Sequence, residues 1–111
     1  MCIFCEIAAG NIPSSKVFEN EKIYAFMDIN PQAPVHVLVI PKEHIPSADG
    51  VNHDNSAVIA EIFENIPRIA SSEGLKNGYR IISNCGPDAC QSVGHLHFHI
   101  LGGKQLTEKM D

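Results

Sequence analysis

Three histidines, His95, His97 and His99, alternate with Leu96, Phe98 and Ile100 in the segment GHLHFHIL, Gly94 to Leu101. In a β-strand successive side chains point to opposite faces, so this spacing puts three imidazoles on one face and three apolar groups on the other. Such a face admits three chemistries. Its imidazoles can be satisfied polar groups on a half-exposed strand, the ordinary use of histidine. Neighbours on the face stand about 6.6 Å apart along the strand, and two of them could share a zinc. A catalytic zinc would want a third ligand, which His36 in PVHVLVIP could supply, and an open position for water. Alternatively, neutral imidazole is a good nucleophile, and a covalent histidine adduct divides one difficult displacement into two easier ones. Its neighbours would then hold its tautomer and bind developing charge. The preceding loop, GPDACQSVG, brings Ser92 and a series of backbone N–H groups to the start of the histidine segment, which suits an anionic oxygen better than a metal.

The elements that must carry these residues can be read from periodicity. IFCEIAAG has Ile3, Phe4, Ile7 and Ala8 at helical spacing, predicting about two turns of helix stopped by Gly10 and Pro13. KVFEN and KIYAFMDI predict a hairpin turning at Asn20 and Glu21. The two prolines of NPQAP mark a loop, and VHVLVIP reads as a strand ended by Pro41. From Ser56 to Ala70 the apolar residues Ile59, Ile62, Phe63, Ile66 and Ile69 define one face of an α-helix, with a kink expected at Pro67. Glycines close that helix, YRIISN returns as a strand, and the GPDACQSVG loop delivers the histidines. Five strands and one main helix predict an α+β fold, an antiparallel sheet covered on one side.

Composition sets the limits. A chain of 111 residues, 44% hydrophobic and 19% charged, suits a single domain over 1–111. The net charge is −5 and Lys and Arg form no run, so the electrostatic footprint of polynucleotide binding is missing, while a small anionic ligand remains compatible. No apolar stretch reaches the roughly 18 residues of a membrane span, and MCIFCEIAAGNIP has neither the basic region nor the apolar length of a signal peptide. The expectation is a cytoplasmic protein without a membrane partner. In a reducing compartment the four cysteines are thiols or metal ligands rather than disulfides, and Cys2 and Cys5 have the two-residue gap that suits one metal.

QSVGHLHFHILGG resembles the signature of the histidine triad (HIT) family, three histidines alternating with hydrophobic residues. The segment from Ile3 to Ile45 resembles the N-terminal half of the family's Hint branch, and GYRIISNCGPDACQSVGHLHFHILGG resembles its C-terminal half. The resemblance implies a HIT fold that dimerises into one continuous sheet. It also implies a nucleotidyl hydrolase or transferase that cleaves purine nucleoside 5'-phosphoramidates to the nucleoside monophosphate and an amine. His97 would be the nucleophile forming a nucleotidyl-histidine intermediate, flanked by His95 and His99, with His36 behind them. Ser92 and Asn84 would reach the phosphate or leaving group. Asp28 would bind the ribose hydroxyls, and Phe26, Ile29, Ile3, Phe4, Ile7 and Ile12 would form the slot for the base. No cofactor is implied for catalysis. Taken alone, Asp28 could equally be a turn former, Ser92 a turn cap, and Phe26 and Ile3 core residues.

Two departures stand out. The chain has no Trp, whereas the Hint branch usually carries a tryptophan-containing tail, and Cys90 stands where a glycine is usual. Other readings of the same residues are a purine nucleotide-binding regulatory module with little turnover and a zinc-dependent hydrolase. Some bacterial HIT proteins hold a structural zinc with a comparable set of residues, here Cys2, Cys5, His44 and His95. A closed Cys2His2 tetrahedron stabilises rather than catalyses. Otherwise Cys2 and Cys5 would be small buried thiols.

Overall fold

The computed structural model describes residues 1–111. Its elements follow the order α1 (Ile3–Ala8), β1 (Lys16–Glu19), β2 (Ile23–Met27), β3 (Val35–Pro41), α2 (Ser56–Ser72), β4 (Arg80–Ile82) and β5 (Phe98–Gly102), with short 3₁₀ turns at Ala48–Gly50 and Pro87–Ala89. The five strands form one sheet in the order β1-β2-β3-β5-β4, antiparallel at every junction. The α+β class and the predicted hairpin are both present.

Strand alternation divides the core in two. Ile23 and Ala25 of β2, Val37 and Val39 of β3, and Ile100 of β5 pack with Leu96 against Val58, Ile62, Ile66 and Ile69 of α2. The other face carries Tyr24, Phe26, Leu38 and Ile40 beneath Phe4 and Ile7 of α1. A six-residue helix is far too short to persist alone, so α1 is held by this packing and by its ends. Cys2 caps its start, its sulfur accepting from the Cys5 N–H, and the chain leaves through Gly10 at φ +82°, a left-handed position that glycine adopts without strain. Because α1 covers only part of its face, the rest of that face is available for a site.

α2 runs unbroken through Pro67. Pro67 and Phe63, whose carbonyl loses its helical partner, both lie on the exposed side, where water can serve that carbonyl. At the far end of β5 a Cβ on Gly102 would stand 2.7 Å from Leu75, so glycine is what lets the segment after α2 close over the sheet.

The histidine segment enters the sheet later than its alternation predicts. Ladder pairing with β3 begins at Phe98, opposite Val39, and only His99 of the three lies within β5. Ahead of it the Leu96 N–H donates instead to the Ile45 carbonyl at 2.6 Å, so the segment leaves the ladder although Ile40 and Pro41 of β3 would continue the register opposite His97 and Leu96.

Candidate active site

All four histidines of interest face α1. His36 precedes Leu38 and Ile40 on the α1 side of β3, while Leu96, Phe98 and Ile100 turn toward α2 and leave His95, His97 and His99 on the other face. In the β3–β5 register Leu38 lies opposite His99 and His36 opposite Leu101, so His36 and His99 are diagonal neighbours within reach of each other's rings.

Their partners dictate the tautomers. The backbone N–H of Gln32 donates to His36 Nδ1 at 3.0 Å, so the ring proton of neutral His36 sits on Nε2. That proton points at His99 Nδ1, 2.8 Å away, which leaves the His99 proton on its own Nε2. Asp28 Oδ2 flanks the pair, 3.4 Å from His36 Nε2. His97 Nδ1 lies 2.7 Å from the His95 carbonyl, an atom that can only accept, so Nδ1 carries the proton and Nε2 keeps a bare lone pair. Burial pushes His99 down to about 4, with the neighbouring His97 and His36 reinforcing the shift and Asp28 opposing it. Burial also lowers His36, again against the pull of Asp28. This pair is therefore neutral at pH 7 and able to pass a proton without holding one.

Beside these rings lies a slot of about 240 Å³. Phe4, Ile7, Phe26 and Leu38 form its apolar wall, Ile3 and Ile29 stand at its exposed mouth, and His97 and His99 lie at its polar end with Ser92 and Val93. The Phe4 ring meets Phe26 edge-on at 5.5 Å and His97 at 5.1 Å, so one side chain ties the wall to the triad. Asp28 also lines the slot, while its Oδ1 accepts from the Asn30 N–H at 2.8 Å, so its turn-forming role is real and leaves Oδ2 facing the histidines. Two of the expected residues stand back. Ile12 packs behind the wall, and Asn84 donates to the Ala89 carbonyl at 2.8 Å, bracing the loop rather than lining the slot.

A second cluster lies on the other side of His95. The donor atoms of Cys2, Cys5, His44 and His95 all fall within 4.8 Å of one another. Cys2 Sγ is 3.3 Å and Cys5 Sγ 3.6 Å from His95 Nδ1, and Cys5 Sγ is 3.4 Å from His44 Nδ1. Around a tetrahedral zinc, sulfur and nitrogen donors stand about 3.6 Å apart, so the set fits that ion. His95 Nε2 meanwhile donates to the Pro41 carbonyl at 2.8 Å, which puts the lone pair on Nδ1, toward the sulfurs, as a metal-bound histidine requires. Burial lowers His95, with His44 and His97 adding to the effect and the Pro41 carbonyl opposing it. Asp28, His36 and His99 also converge, but 2.8 Å between two ring nitrogens is a hydrogen bond; zinc would hold them about 3.3 Å apart.

Sequence reasoning missed several participants. Leu38 could have been found, since it follows His36 by two residues and must share its face. The Gln32 N–H and the carbonyls of Pro41 and His95 are backbone groups and leave no mark in residue type.

The chain is similar to known proteins over most of its length. A 14 kDa zinc-binding protein of Zea mays is 42% identical over 107 residues, covering 95% of this chain and 84% of the relative. Adenylylsulfatase HINT1 of Arabidopsis thaliana is 41% identical over 107 residues, covering 95% of this chain and 73% of its own. The crystal structure of a HIT family hydrolase from Legionella pneumophila superposes with a TM-score of 0.93 at 47% identity, covering 97% of each chain. The HIT domain model matches residues 9–106, and with the alternating histidines on one face of a five-stranded antiparallel sheet the chain belongs to the HIT family, in its Hint-like branch.

Proposed function

We propose that this chain is a hydrolase that cleaves purine nucleoside 5'-phosphoramidates through a nucleotidyl adduct on His97. The observation that carries this is the bare Nε2 of His97 at the polar end of an apolar slot, its Nδ1–H held 2.7 Å from the His95 carbonyl. A base enters between Phe4, Ile7 and Phe26, the ribose hydroxyls meet Asp28, and the phosphate comes to Ser92, His97 and His99. His97 needs no general base. Its Nε2 attacks phosphorus, the N–P bond forms as the bond to the leaving nitrogen breaks, and the amine departs with a proton taken from solvent. The imidazolium that results is stabilised through Nδ1–H by the His95 carbonyl, and His99 Nε2–H donates to the phosphoryl oxygens. Water then attacks phosphorus, the His97–P bond breaks, and the nucleoside monophosphate leaves with the water's oxygen.

The name of the Arabidopsis relative points to adenylyl sulfate, in which the same adenylyl group carries a sulfate leaving group. The two belong to one class, adenylyl transfer from a labile leaving group. Incubation with a fluorogenic adenosine phosphoramidate, and separately with adenylyl sulfate, should release AMP from at least the first. Acid-quenched mass spectrometry should find AMP on the peptide bearing His97. Tight AMP binding with no release from either compound would favour a regulatory nucleotide-binding module instead.

The Cys2, Cys5, His44 and His95 cluster is assigned to a structural zinc, supported by the donor spacing and by the Zea mays relative's name. Bound there, zinc would contribute charge and four fixed bonds. Four protein donors leave no open position for water, which counts against a zinc-dependent hydrolase. Turnover that stops on chelation while AMP binding and fold persist would reverse that judgement.

We propose a homodimer formed on the α2 side of the sheet edge. β4 is an edge strand of three residues, and Ile81, opposite Ile100 and so on its face, is 37% exposed. Phe63 of α2 is 45% exposed and packs edge-on against Phe98 at 5.4 Å, extending the apolar surface. Light scattering should give twice the chain mass, and Phe63→Glu with Ile81→Glu should give one. No helix is long and apolar enough to cross a membrane, which fits the cytoplasmic location we propose.

A further inference from the structure

We propose that Gln91 is the positioning residue for the phosphate-binding loop, setting where Ser92 stands during nucleotidyl transfer. The loop from Gly86 to Gln91 is folded on itself. The N–H groups of Ala89 and Gln91 both donate to the Gly86 carbonyl, at 3.3 and 3.1 Å, and Cys90 turns it through the left-handed region at φ 59°. Those bonds shape the loop but do not attach it to the site. The Gln91 side chain does. Its Oε1 accepts from the Gly86 N–H at 2.9 Å, and its Nε2 donates both to the Val93 carbonyl at 2.9 Å and to the Pro46 carbonyl at 2.8 Å.

Both amide hydrogens are thereby used, and each bond has a different consequence. The bond to Gly86 closes the loop. The bond to Pro46 pins it to the segment after β3, which also carries His44. The bond to Val93 spans Ser92, so the backbone is held on both sides of a residue whose hydroxyl takes part in none of these contacts. Ser92 is exposed at the slot and takes its place from its neighbours. A displacement of about 1 Å of a group that meets the transferring phosphoryl can cost on the order of 100-fold in rate, so the anchoring of an exposed serine has direct kinetic weight. A glutamine is required for this arrangement because two carbonyls must be met by one NH₂ while the amide oxygen meets an N–H.

This rests on the nucleotidyl-transfer reading, and the test separates the two. Gln91→Met keeps the length and removes the hydrogen bonds. Gln91→Glu keeps the shape and turns the donor into an acceptor facing two carbonyls. In assays with the fluorogenic adenosine phosphoramidate both should lower kcat by about 10- to 100-fold, while AMP affinity, held by the base slot, changes less than about threefold. Because Gln91 acts through Ser92, Gln91→Met combined with Ser92→Ala should be no slower than the worse single variant. Effects that multiply, or an unchanged kcat in the Met variant, would overturn the proposal. If the wild-type chain binds AMP but cleaves nothing, the functional reading fails and the phosphorus NMR shift of bound AMP decides on Gln91. Gln91→Met and Ser92→Ala should then move that resonance alike, and an unmoved resonance in the Met variant would sink the positioning role.

Discussion

His95 and His99 are four residues apart on one face of one segment, yet their surroundings suit them to different work. His95 turns its lone pair toward two sulfurs at 3.3 and 3.6 Å, the separations of donors around a metal. His99 turns its lone pair toward another imidazole at 2.8 Å, the separation of a shared proton. The thiols come from α1 and its N-cap and the second imidazole from β3, so what packs over each end of the segment decides between a donor set that fits a cation and a hydrogen-bonded imidazole pair. His97 stands between them, and its Nδ1–H is spent on the carbonyl of His95. The Cys2, Cys5, His44 and His95 cluster and the His97 ring are thus joined through one residue while keeping separate partners.

The largest effect is expected at His97. His97→Ala should lower turnover of the phosphoramidate at least about a thousandfold, since nothing else in the slot offers a bare nitrogen. The same protein should retain its fold, its nucleotide affinity within about tenfold, and about one zinc per chain by elemental analysis. Full activity would end the mechanism, and loss of metal would show that the two regions cannot be separated.

The reverse experiment removes the thiols. Cys2→Ser with Cys5→Ser should abolish zinc retention and lower the melting temperature, because a four-ligand site contributes directly to folding. Catalysis should suffer mainly in KM. Cys2 and Cys5 tether the helix whose Phe4 and Ile7 form the base wall, so an untethered α1 opens the slot without altering the tautomer of His97. We expect KM to rise about tenfold with kcat within a few-fold. Unchanged zinc content in the double variant would remove the metal assignment.

These two experiments also divide what could be read in advance from what could not. Period-two alternation was enough to put His95, His97 and His99 on one face and Leu96 and Ile100 in the core, because strand geometry alone sets that outcome. The hairpin, the strand carrying His36 and the main helix were legible for the same reason. Different work for His95 and His99 was not legible from alternation, which treats them alike. Their partners lie 93 residues away at Cys2 and 63 away at His36, and only the family resemblance brought the cysteines to His95. The late start of β5 is hidden because it depends on a backbone bond from Leu96 to Ile45, which residue types do not mark. Gln91 was overlooked because its partners are backbone atoms, one of them on Pro46.

Acid should test the proton-passing side by itself. His99 is held near 4, below its ordinary value of 6.5, so the unfolded chain binds the extra proton first as pH falls. The contribution is complete above about pH 6.5 and is lost as pH drops toward 4. His36 titrates in the same direction. Urea midpoints should therefore fall between pH 7 and pH 4.5, and His99→Asn should fall less steeply over that range. Parallel slopes in the two proteins would mean that the pair does not carry the pH dependence.

The smallest effect is expected at Cys90, which belongs to neither region. Its φ of 59° and ψ of 43° lie in the left-handed region, which costs an L-residue about 1 kcal/mol and glycine nothing. Replacing it with glycine removes that strain but gives the unfolded chain more freedom, which takes back part of the gain. Cys90→Gly should therefore raise stability by about 0.5 kcal/mol in urea unfolding. The loop is held by the Gln91 and Asn84 side chains and the Gly86 carbonyl, none of which depends on the thiol, so kcat should stay within about twofold and zinc content should not change. A fall in kcat of tenfold or more would place the Cys90 side chain among the groups that shape the phosphate site, and the loop would then belong to the same unit as the His97 and His99 rings.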